Sequence, residues 1–212
     1  MSRSFFSVIV PAHNSAEYIR KGLESIRRQT FKDYELIIVC DACTDDTELV
    51  ASSYADCGNN KLITTDFGMD GLARNAGIDA AEGYWLIFMD DDDWFLHEYV
   101  FQQLHDAAID TDADMLVFDF IWKGRGYYHN GDGQTNIAVW SKCWRKAFVG
   151  STRFPAIPFT SDEPFMNEII AKKPRALFLG LPMYYYNYMR KGSQTETHAR
   201  PDGAVPKQQG ER

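Results

Sequence analysis

The chain has 212 residues, 45% of them hydrophobic and 25% charged, the balance of a globular domain that can bury a real core, alone or with an extension. Its net charge of −8 and pI near 5.1 exclude bulk nucleic-acid binding, which needs a basic footprint. They also argue against an electropositive membrane face outside a local patch at Arg190-Lys191, and no apolar run reaches the about 18 residues of a spanning helix.

Met1-Ser2-Arg3-Ser4 leads straight into a strand, an opening that predicts no signal peptide and a cytoplasmic protein. Phe5 to Val10 is a β-branched and aromatic run that stops at Pro11, a buried first strand. Pro11-Ala12-His13-Asn14 is the turn. Asn14 and Glu17 have capping-box spacing, and Ile19, Leu23 and Ile26 carry a helix to about Arg28. Its N-terminus, just past the strand, offers free N–H groups to an anion. Glu35 to Cys40 is a second strand ending at Asp41, and Asp45 with Glu48 repeats the capping-box spacing before a helix through Tyr54. Lys61 to Thr65 is a third strand, and Gly71 to Ala81 is an Ala-rich helix with Gly83 as its stop.

The apolar run Trp85 to Met89 then ends in four consecutive carboxylates, Asp90 to Asp93, before Trp94. A helix from His97 to Ile109 and a strand from Met115 to Phe120 follow. This alternation predicts an α/β fold with a mainly parallel sheet flanked by helices. Beyond it the rhythm changes. Lys123 to Thr135 reads as a loop or hairpin, Trp140 to Val149 as a short amphipathic helix, and Gly150 to Asp162 as a loop with Pro155 and Pro158. Glu163 to Ala171 is helical with Asp162 or Ser161 as cap, and Arg175 to Leu179 and Met183 to Tyr188 are strands of a small antiparallel C-terminal part. Residues 196–212 are polar with Pro and Gly, a disordered tail after a single domain over 1–195.

Four adjacent like charges are tolerable in water as a solvated acidic turn, or around a cation. Asn14, Asp41 and Asp90 to Asp93 all fall at strand ends, which a parallel sheet gathers on one edge. Asp41 can accept a hydrogen bond from a base N–H or simply form an Asx turn. Arg74, in a segment of small residues, reaches a phosphate or a carboxylate, or else snorkels at the surface. Cys40 and Cys43 form a C-x-x-C without a second pair or a redox context, so reduced, incidental thiols are expected. The late aromatics (Tyr127-Tyr128, Trp140, Trp144, Tyr184 to Tyr186, Tyr188) either wall a flat ligand such as a sugar or pack.

Four segments in order, Val-Ile-Val-Pro-Ala-His-Asn (8–14), Cys-Asp-Ala-Cys-Thr-Asp-Asp-Thr (40–47), Gly-Leu-Ala-Arg-Asn-Ala-Gly-Ile (71–78) and Phe-Met-Asp-Asp-Asp-Asp-Trp (88–94), resemble the family 2 glycosyltransferases of the GT-A fold. The resemblance runs over about residues 5–195. Val139-Trp140-Ser141-Lys142 looks like the family's Trp-x-Lys segment, Ser161-Asp162-Glu163-Pro164-Phe165 like its Glu-Asp motif, and Tyr184 to Ser193 like the ending of members that build capsular, teichoic or lipopolysaccharide chains.

That resemblance implies an inverting transferase that moves a sugar from a nucleotide-diphospho-sugar, a UDP-sugar, to a saccharide or lipid-linked saccharide acceptor. Residues 1–120 would form the nucleotide-binding half and 121–195 the acceptor-side half. Asp41 would bind the uracil N3–H, with Pro11, Ala12, His13 and Asn14 beside base and ribose, and Arg74 near the diphosphate or base. Asp90 and Asp91 join the nucleotide-sugar contacts, and Asp92 holds Mg²⁺ or Mn²⁺, for which hard oxygen ligands are suited. Trp94 sets this register; sliding by one pairs Asp91 with Asp93. Asp162 is the implied catalytic base, with Glu163 the alternative, and Lys142 and Arg190 are candidates for the diphosphate. His13 replaces the commoner Tyr, and Ala42-Cys43 the usual Gly-Ser, which alters the base-binding turn. A peripheral contact at the inner face of the plasma membrane and a homodimer fit the same reading. The rival readings are a nucleotidyltransferase or other phosphate-handling α/β enzyme, and a nucleotide-sugar-binding module without turnover. Pro11 to Asn14 is neither Gly-rich nor basic, which weighs against the first, and Asp162 weighs against the second.

Overall fold

The computed structural model describes residues 3–56, 58–131 and 136–190. The expected tail at 196–212, Lys191 to Ser193 and part of the 123–135 loop lie outside them. Strand β1 (Phe6–Ala12) is buried along its whole length. It pairs in parallel with β2 (Tyr34–Asp41) and β4 (Trp85–Phe88), and β2 pairs with β3 (Lys61–Thr65). The β1–β4 register ends at Ile9↔Phe88, so Pro11, which cannot donate to a ladder, lies past the paired part on that side.

Successive side chains of these strands enter two different cores, as a period of two requires. Val8, Val10, Leu36 and Ile38 pack with α1 (Ile19–Arg27), α2 (Thr47–Ala55) and α4 (Val100–Ile109). Ile9, Ile37 and Val39 pack with α3 (Asp70–Ala80) and α6 (Asp162–Ala171). Gly77 lets α3 lie this close: a Cβ there would sit 2.4 Å from Ile9 Cγ2.

Neither expected capping box forms. Tyr18 occupies the α1 N-cap without a side-chain cap bond, and Asn14 sits in the left-handed region at φ 46°. Its Oδ1 instead accepts Thr44 N–H at 2.8 Å. Asp45 Oδ1 accepts Thr47 N–H at 3.0 Å and its Oδ2 takes Ala16 N–H at 3.1 Å, while Glu48 takes the Thr64 hydroxyl at 3.1 Å. These acceptors tie the turns after β1 and β2 together in place of capping helices.

The second half departs further from expectation. Residues 140–149 are not one helix. A 3₁₀ turn (Val139–Ser141) leads into strand β8 (Lys142–Arg145), then a one-turn helix α5 (Lys146–Val149). β8 inserts antiparallel between β4 and β6 (Met115–Trp122), with Leu86 opposite Trp144 and Leu116 opposite Cys143. Lys142, Cys143 and Trp144 are all buried, and burial on both faces suits a strand in the sheet interior. The two expected C-terminal strands are one, β9 (Ala176–Tyr186), parallel to β6 and irregular where Gly180 adopts φ 64°. β9 also pairs antiparallel with the two-residue strand β5 (Trp94–Phe95), and β7 (Gly126–Tyr128) forms a hairpin with β6. Among the described residues the sheet order is β3-β2-β1-β4-β8-β6-β9-β5, with β7 off β6.

Candidate active site

The C-terminal ends of β1, β2 and β4 open onto a cleft of ≈ 490 Å³, where ligands bind in open α/β sheets. Its lining includes Pro11, Ala12, His13, Asp41, Arg74, Asp90, Asp91, Asp92, Asp162 and Arg190. Ten of the twelve residues singled out in the sequence therefore share one wall system. Asn14 and Lys142 do not reach it.

Asp41 ends β2 and is 3% exposed. Its Oδ1 accepts the Thr65 hydroxyl at 2.8 Å and Phe67 N–H at 2.7 Å, and its Oδ2 accepts Met69 N–H at 2.9 Å. The carboxylate thus folds the 65–69 segment over the strand end, and these three contacts leave Oδ2 with acceptor capacity in a residue that lines the cleft. His13 Nδ1 lies 2.7 Å from the Asp41 carbonyl, which can only accept, so Nδ1 carries the proton and Nε2 accepts from Asn14 Nδ2 at 3.2 Å. Asn14 is therefore one step behind the lining: it fixes the imidazole. Ala42 takes φ 49°, the backbone geometry that favours glycine.

The acidic turn is held from both sides. Asp90 N–H donates to the Tyr184 hydroxyl at 3.1 Å, His13 N–H donates to Asp91 Oδ2 at 3.0 Å, and Asn187 N–H donates to Asp93 Oδ1 at 2.7 Å. Arg190 spans two carboxylates, Nε to Asp92 Oδ2 at 2.6 Å and Nη2 to Asp91 Oδ1 at 3.4 Å. Burial and then the Asp91 charge push the Asp92 carboxyl up to about 7 against the pull of Arg190. Burial pushes Asp93 well above the usual range, with Asp92 and Asp90 adding to it. Asp93 is 1% exposed and outside the lining, a structural carboxyl under the turn. Arg190 is drawn into the cleft, and its neighbour in the possible basic patch, Lys191, lies outside the described residues.

Arg74 organises the opposite wall. It is 4% exposed. Its Nη1 binds Asp70 and lies 3.4 Å from Asp162 Oδ1, and its Nη2 donates to Asp90 Oδ1 at 2.8 Å. One guanidinium thus bridges α3, the acidic turn and the first residue of α6. Burial, with Asp90 and Asp70, pushes the Asp162 carboxyl up to about 6 against Arg74. Asp162 follows the N-cap Ser161, which makes no side-chain cap bond; its Oδ2 lies 3.5 Å from Val139 N. Glu163 is exposed and outside the lining, so the structure places Asp162, not its neighbour, at the cleft.

Lys142 is a correction. It is 0% exposed, and its ammonium donates to Asn136 O at 2.8 Å, Ala138 O at 2.7 Å and Ser141 Oγ at 3.2 Å. Its nitrogen is engaged inside the wall and is absent from the cleft lining, so it is not placed to meet a diphosphate. Two residues escaped the sequence reading. Asp70 is bound by Arg74 and takes the Ser161 hydroxyl at 3.3 Å; its position four before Arg74 on a helix was the available signal. Trp122 was missed as well. It joins Phe120, Trp140, Tyr186 and Tyr188 in an aromatic wall, with Trp140 stacked on Tyr186 at 4.9 Å and Trp122 edge-on to Tyr188 at 5.2 Å.

Cys40, Cys43 and Cys143 are free thiols, and burial pushes Cys40 up to about 12, which leaves it unreactive. Among the described residues no three His, Cys, Asp or Glu side chains form a metal cluster, and no helix is long and apolar enough to cross a membrane. The donor set still fits a hard cation. Asp91 and Asp92 offer carboxylate oxygens at the cleft, and Asp92 is held above its ordinary value by burial first and then by the Asp91 charge, against the pull of Arg190. Mg²⁺ needs one or two carboxylates when substrate phosphates and water complete its shell.

The chain is similar to several known proteins. It is 40% identical over 205 residues to the putative glycosyltransferase EpsH of Bacillus subtilis (strain 168), covering 85% of this chain and 60% of EpsH. It is 37% identical over 119 residues to the poly(ribitol-phosphate) beta-N-acetylglucosaminyltransferase TarS of Staphylococcus aureus (strain Mu50), covering 53% of this chain and 20% of TarS. The chain therefore spans less than two thirds of these relatives. The crystal structure of S. aureus TarS 1-349 in complex with UDP superposes with a TM-score of 0.78 at 25% identity, over 86% of this chain and 60% of that one. Its sheet, curled and mostly parallel with helices on both faces, is the GT-A fold. The family profile described as "Glycosyl transferase family 2" matches residues 7–166, and on that match, over most of its length, this chain belongs to glycosyl transferase family 2.

Proposed function

We propose that the chain transfers a sugar, with inversion, from a UDP-sugar to a saccharide or lipid-linked saccharide acceptor in surface-polysaccharide synthesis. The observation that carries this reading is Asp162, a carboxylate in the cleft wall facing the acidic turn, with a proton affinity raised to about 6. A general base works best with a value near the operating pH. In the proposed step the acceptor hydroxyl oxygen bonds to the anomeric carbon while its proton passes to Asp162. The bond from that carbon to the diphosphate oxygen breaks, and UDP leaves with the electron pair. A single displacement needs only this one base, as in inverting glycosidases.

The donor's uracil fits the Pro11–His13 backbone and the remaining lone pair of Asp41. Asp90 and Asp91 face the sugar and ribose, and Arg190 faces the diphosphate. Asp92 would hold Mg²⁺ or Mn²⁺, which supplies charge neutralisation to the leaving diphosphate. The similarity to TarS, a poly(ribitol-phosphate) beta-N-acetylglucosaminyltransferase, supports UDP-N-acetylglucosamine as the first donor to try. The aromatic wall of Phe120, Trp122, Trp140, Tyr186 and Tyr188 belongs to the acceptor-side half, residues 121–195 with Phe120 at its border, and residues 1–120 form the donor half. Cytoplasmic residence, peripheral contact with the plasma membrane and homodimer formation complete the reading. UDP release from UDP-sugars with Mn²⁺, compared between the wild type and Asp162→Asn, tests it. Equal rates in both proteins, or no release from any nucleotide sugar, would overturn it.

A further inference from the structure

We propose that Asp70 is a positioning residue: it holds the Arg74 guanidinium to its own side, so that Asp162 keeps an oxygen open for the acceptor's proton. Arg74 has three carboxylates around it but hydrogen-bonds only two of them. Nη1 donates to Asp70 Oδ2 at 2.5 Å and Nη2 to Asp90 Oδ1 at 2.8 Å. Asp162 Oδ1 stands 3.4 Å from Nη1, an ion-pair distance without a hydrogen bond. The guanidinium takes this place although its Nε–H is buried there with no hydrogen-bond partner, and an unpaired buried donor is costly. Its position is therefore set by the Nη contacts, and the group that competes with Asp162 for Nη1 is Asp70.

The surroundings fix this division. Asp70 is the first residue of α3 and Arg74 lies four residues on, the spacing at which two helical side chains meet. The Ser161 hydroxyl, which makes no cap bond for α6, instead donates to Asp70 at 3.3 Å. The start of α3 is pressed against that residue: a Cβ at Gly71 would lie 2.9 Å from Ser161 Cβ. Phe154 faces the guanidinium at 5.5 Å and stacks at 4.0 Å on Phe165, three residues after Asp162 on α6. Asp70 thus touches both the cation and the residue before the base, while Asp162 Oδ2 lies 3.5 Å from Val139 N. The charged groups facing Asp162 are Asp70 and Arg74 of α3 and Asp90 of the acidic turn. Lys142 of β8 lies behind the wall within reach of its charge, and Glu163, next to it on α6, is exposed. A carboxylate that takes a guanidinium's hydrogen bond is a weaker base, because the bond favours its charged form. Without the Asp70 charge, Nη1 has Asp162 as its remaining carboxylate and one repelling charge is gone. Both changes favour ionised Asp162, so they act with the same sign.

The inference rests on Asp162 as the base, and its test separates the two. The Asp162 carboxyl is titrated by ¹³C NMR in aspartate-labelled protein, its signal identified by loss in Asp162→Asn. In Asp70→Asn the midpoint should fall by about half a unit or more. The acid limb of kcat/KM for UDP release from UDP-N-acetylglucosamine with Mn²⁺ should move down with it. The plateau above that limb should drop about twofold or more, since a weaker base takes the proton less readily. Asp70→Glu, which restores the charge, should return the midpoint toward the wild-type value. Asp70→Ser must shift it in the same direction as Asp70→Asn, and it serves where that variant does not fold. A merely structural Asp70 lowers thermal stability and leaves the midpoint in place. An unchanged or raised midpoint in the folded neutral variants refutes the proposal. A midpoint that falls while the acid limb stays, or in a protein with no UDP release from any nucleotide sugar, refutes Asp162 as the base and leaves the hold of Asp70 on Arg74 intact.

Discussion

Replacing Arg74 by Met keeps the apolar stem and removes the charge that three carboxylates share. Taking one partner from a buried ion pair costs about 3–5 kcal/mol, because the remaining charge is stranded. Here Asp70, Asp90 and Asp162 retain 24%, 26% and 19% side-chain exposure, and water screens them in part. The lower end applies: about 3 kcal/mol at pH 8, a fall in Tm of about 6–12 °C for a chain of this size. The loss depends on pH. Asp162 already has a folded value of about 6, above the unfolded value of about 3.9, and Asp90 is raised as well. Without Arg74 both climb further. A carboxyl raised in the folded state destabilises the fold in its ionised form, so the penalty is complete above the folded value. It fades as pH falls toward the unfolded one. Urea unfolding of wild type and Arg74→Met at pH 8 and pH 5 measures this. The difference in stability should be clearly smaller at pH 5. A loss below about 1 kcal/mol, the scale of an exposed pair, or the same loss at both pH values, would refute the shared-cation account.

Asp162→Asn should lower UDP release about 10²–10⁴-fold, the range for a lost general base, while calorimetric UDP affinity stays within a few-fold; an equal loss of affinity would assign Asp162 to binding. The wild-type kcat/KM should fall as pH drops through about 6, because the base must be ionised; a flat profile between pH 5 and 7 contradicts that. Ala42→Gly relieves the left-handed backbone at φ 49° and should raise stability by about 0.5–1 kcal/mol after the entropy cost of glycine, seen as a small increase in Tm.

The first 120 residues were legible because each of their signals is local. A buried parallel strand announces itself as an apolar run, and a carboxylate after such a run emerges on the ligand edge, as Asp41 and Asp90 to Asp92 do. Order along the chain then added Arg74. What failed were the caps and the 140–149 helix, whose residues found partners distant in sequence. Asn14 and Asp45 have the right residue types for caps, but the neighbouring turn offers Thr44 and Ala16 N–H groups instead. Trp140 to Val149 has helical periodicity, yet an open place between β4 and β6 makes its centre a strand. That one change turned Lys142 from a surface cation into a buried one. Sequence left Asp162 and Glu163 open because they are adjacent; the start of α6 sends the first to the cleft and the second to solvent.

The charge pattern of the cleft bears on how a nucleotide-diphospho-sugar could bind at all. Asp41, Asp70, Asp90, Asp91, Asp92 and Asp162 line it, against the guanidinium groups of Arg74 and Arg190. Both Nη groups of Arg74 are taken by carboxylates, its buried Nε having no hydrogen-bond partner, and Arg190 already bridges Asp91 and Asp92. A diphosphate entering this site meets a net negative wall unless Arg190 is released toward it. Arg190 can turn to phosphate oxygens only if something else takes over Asp92, and a hard divalent cation is the group whose ligand preference matches that carboxylate and the diphosphate together. The same exchange would leave the Asp162 wall untouched, since Arg74 keeps Asp90 and Asp162 on its own side. Under the proposed function, donor binding and proton transfer would draw on two separate cations, Arg190 for the first and Arg74 for the second.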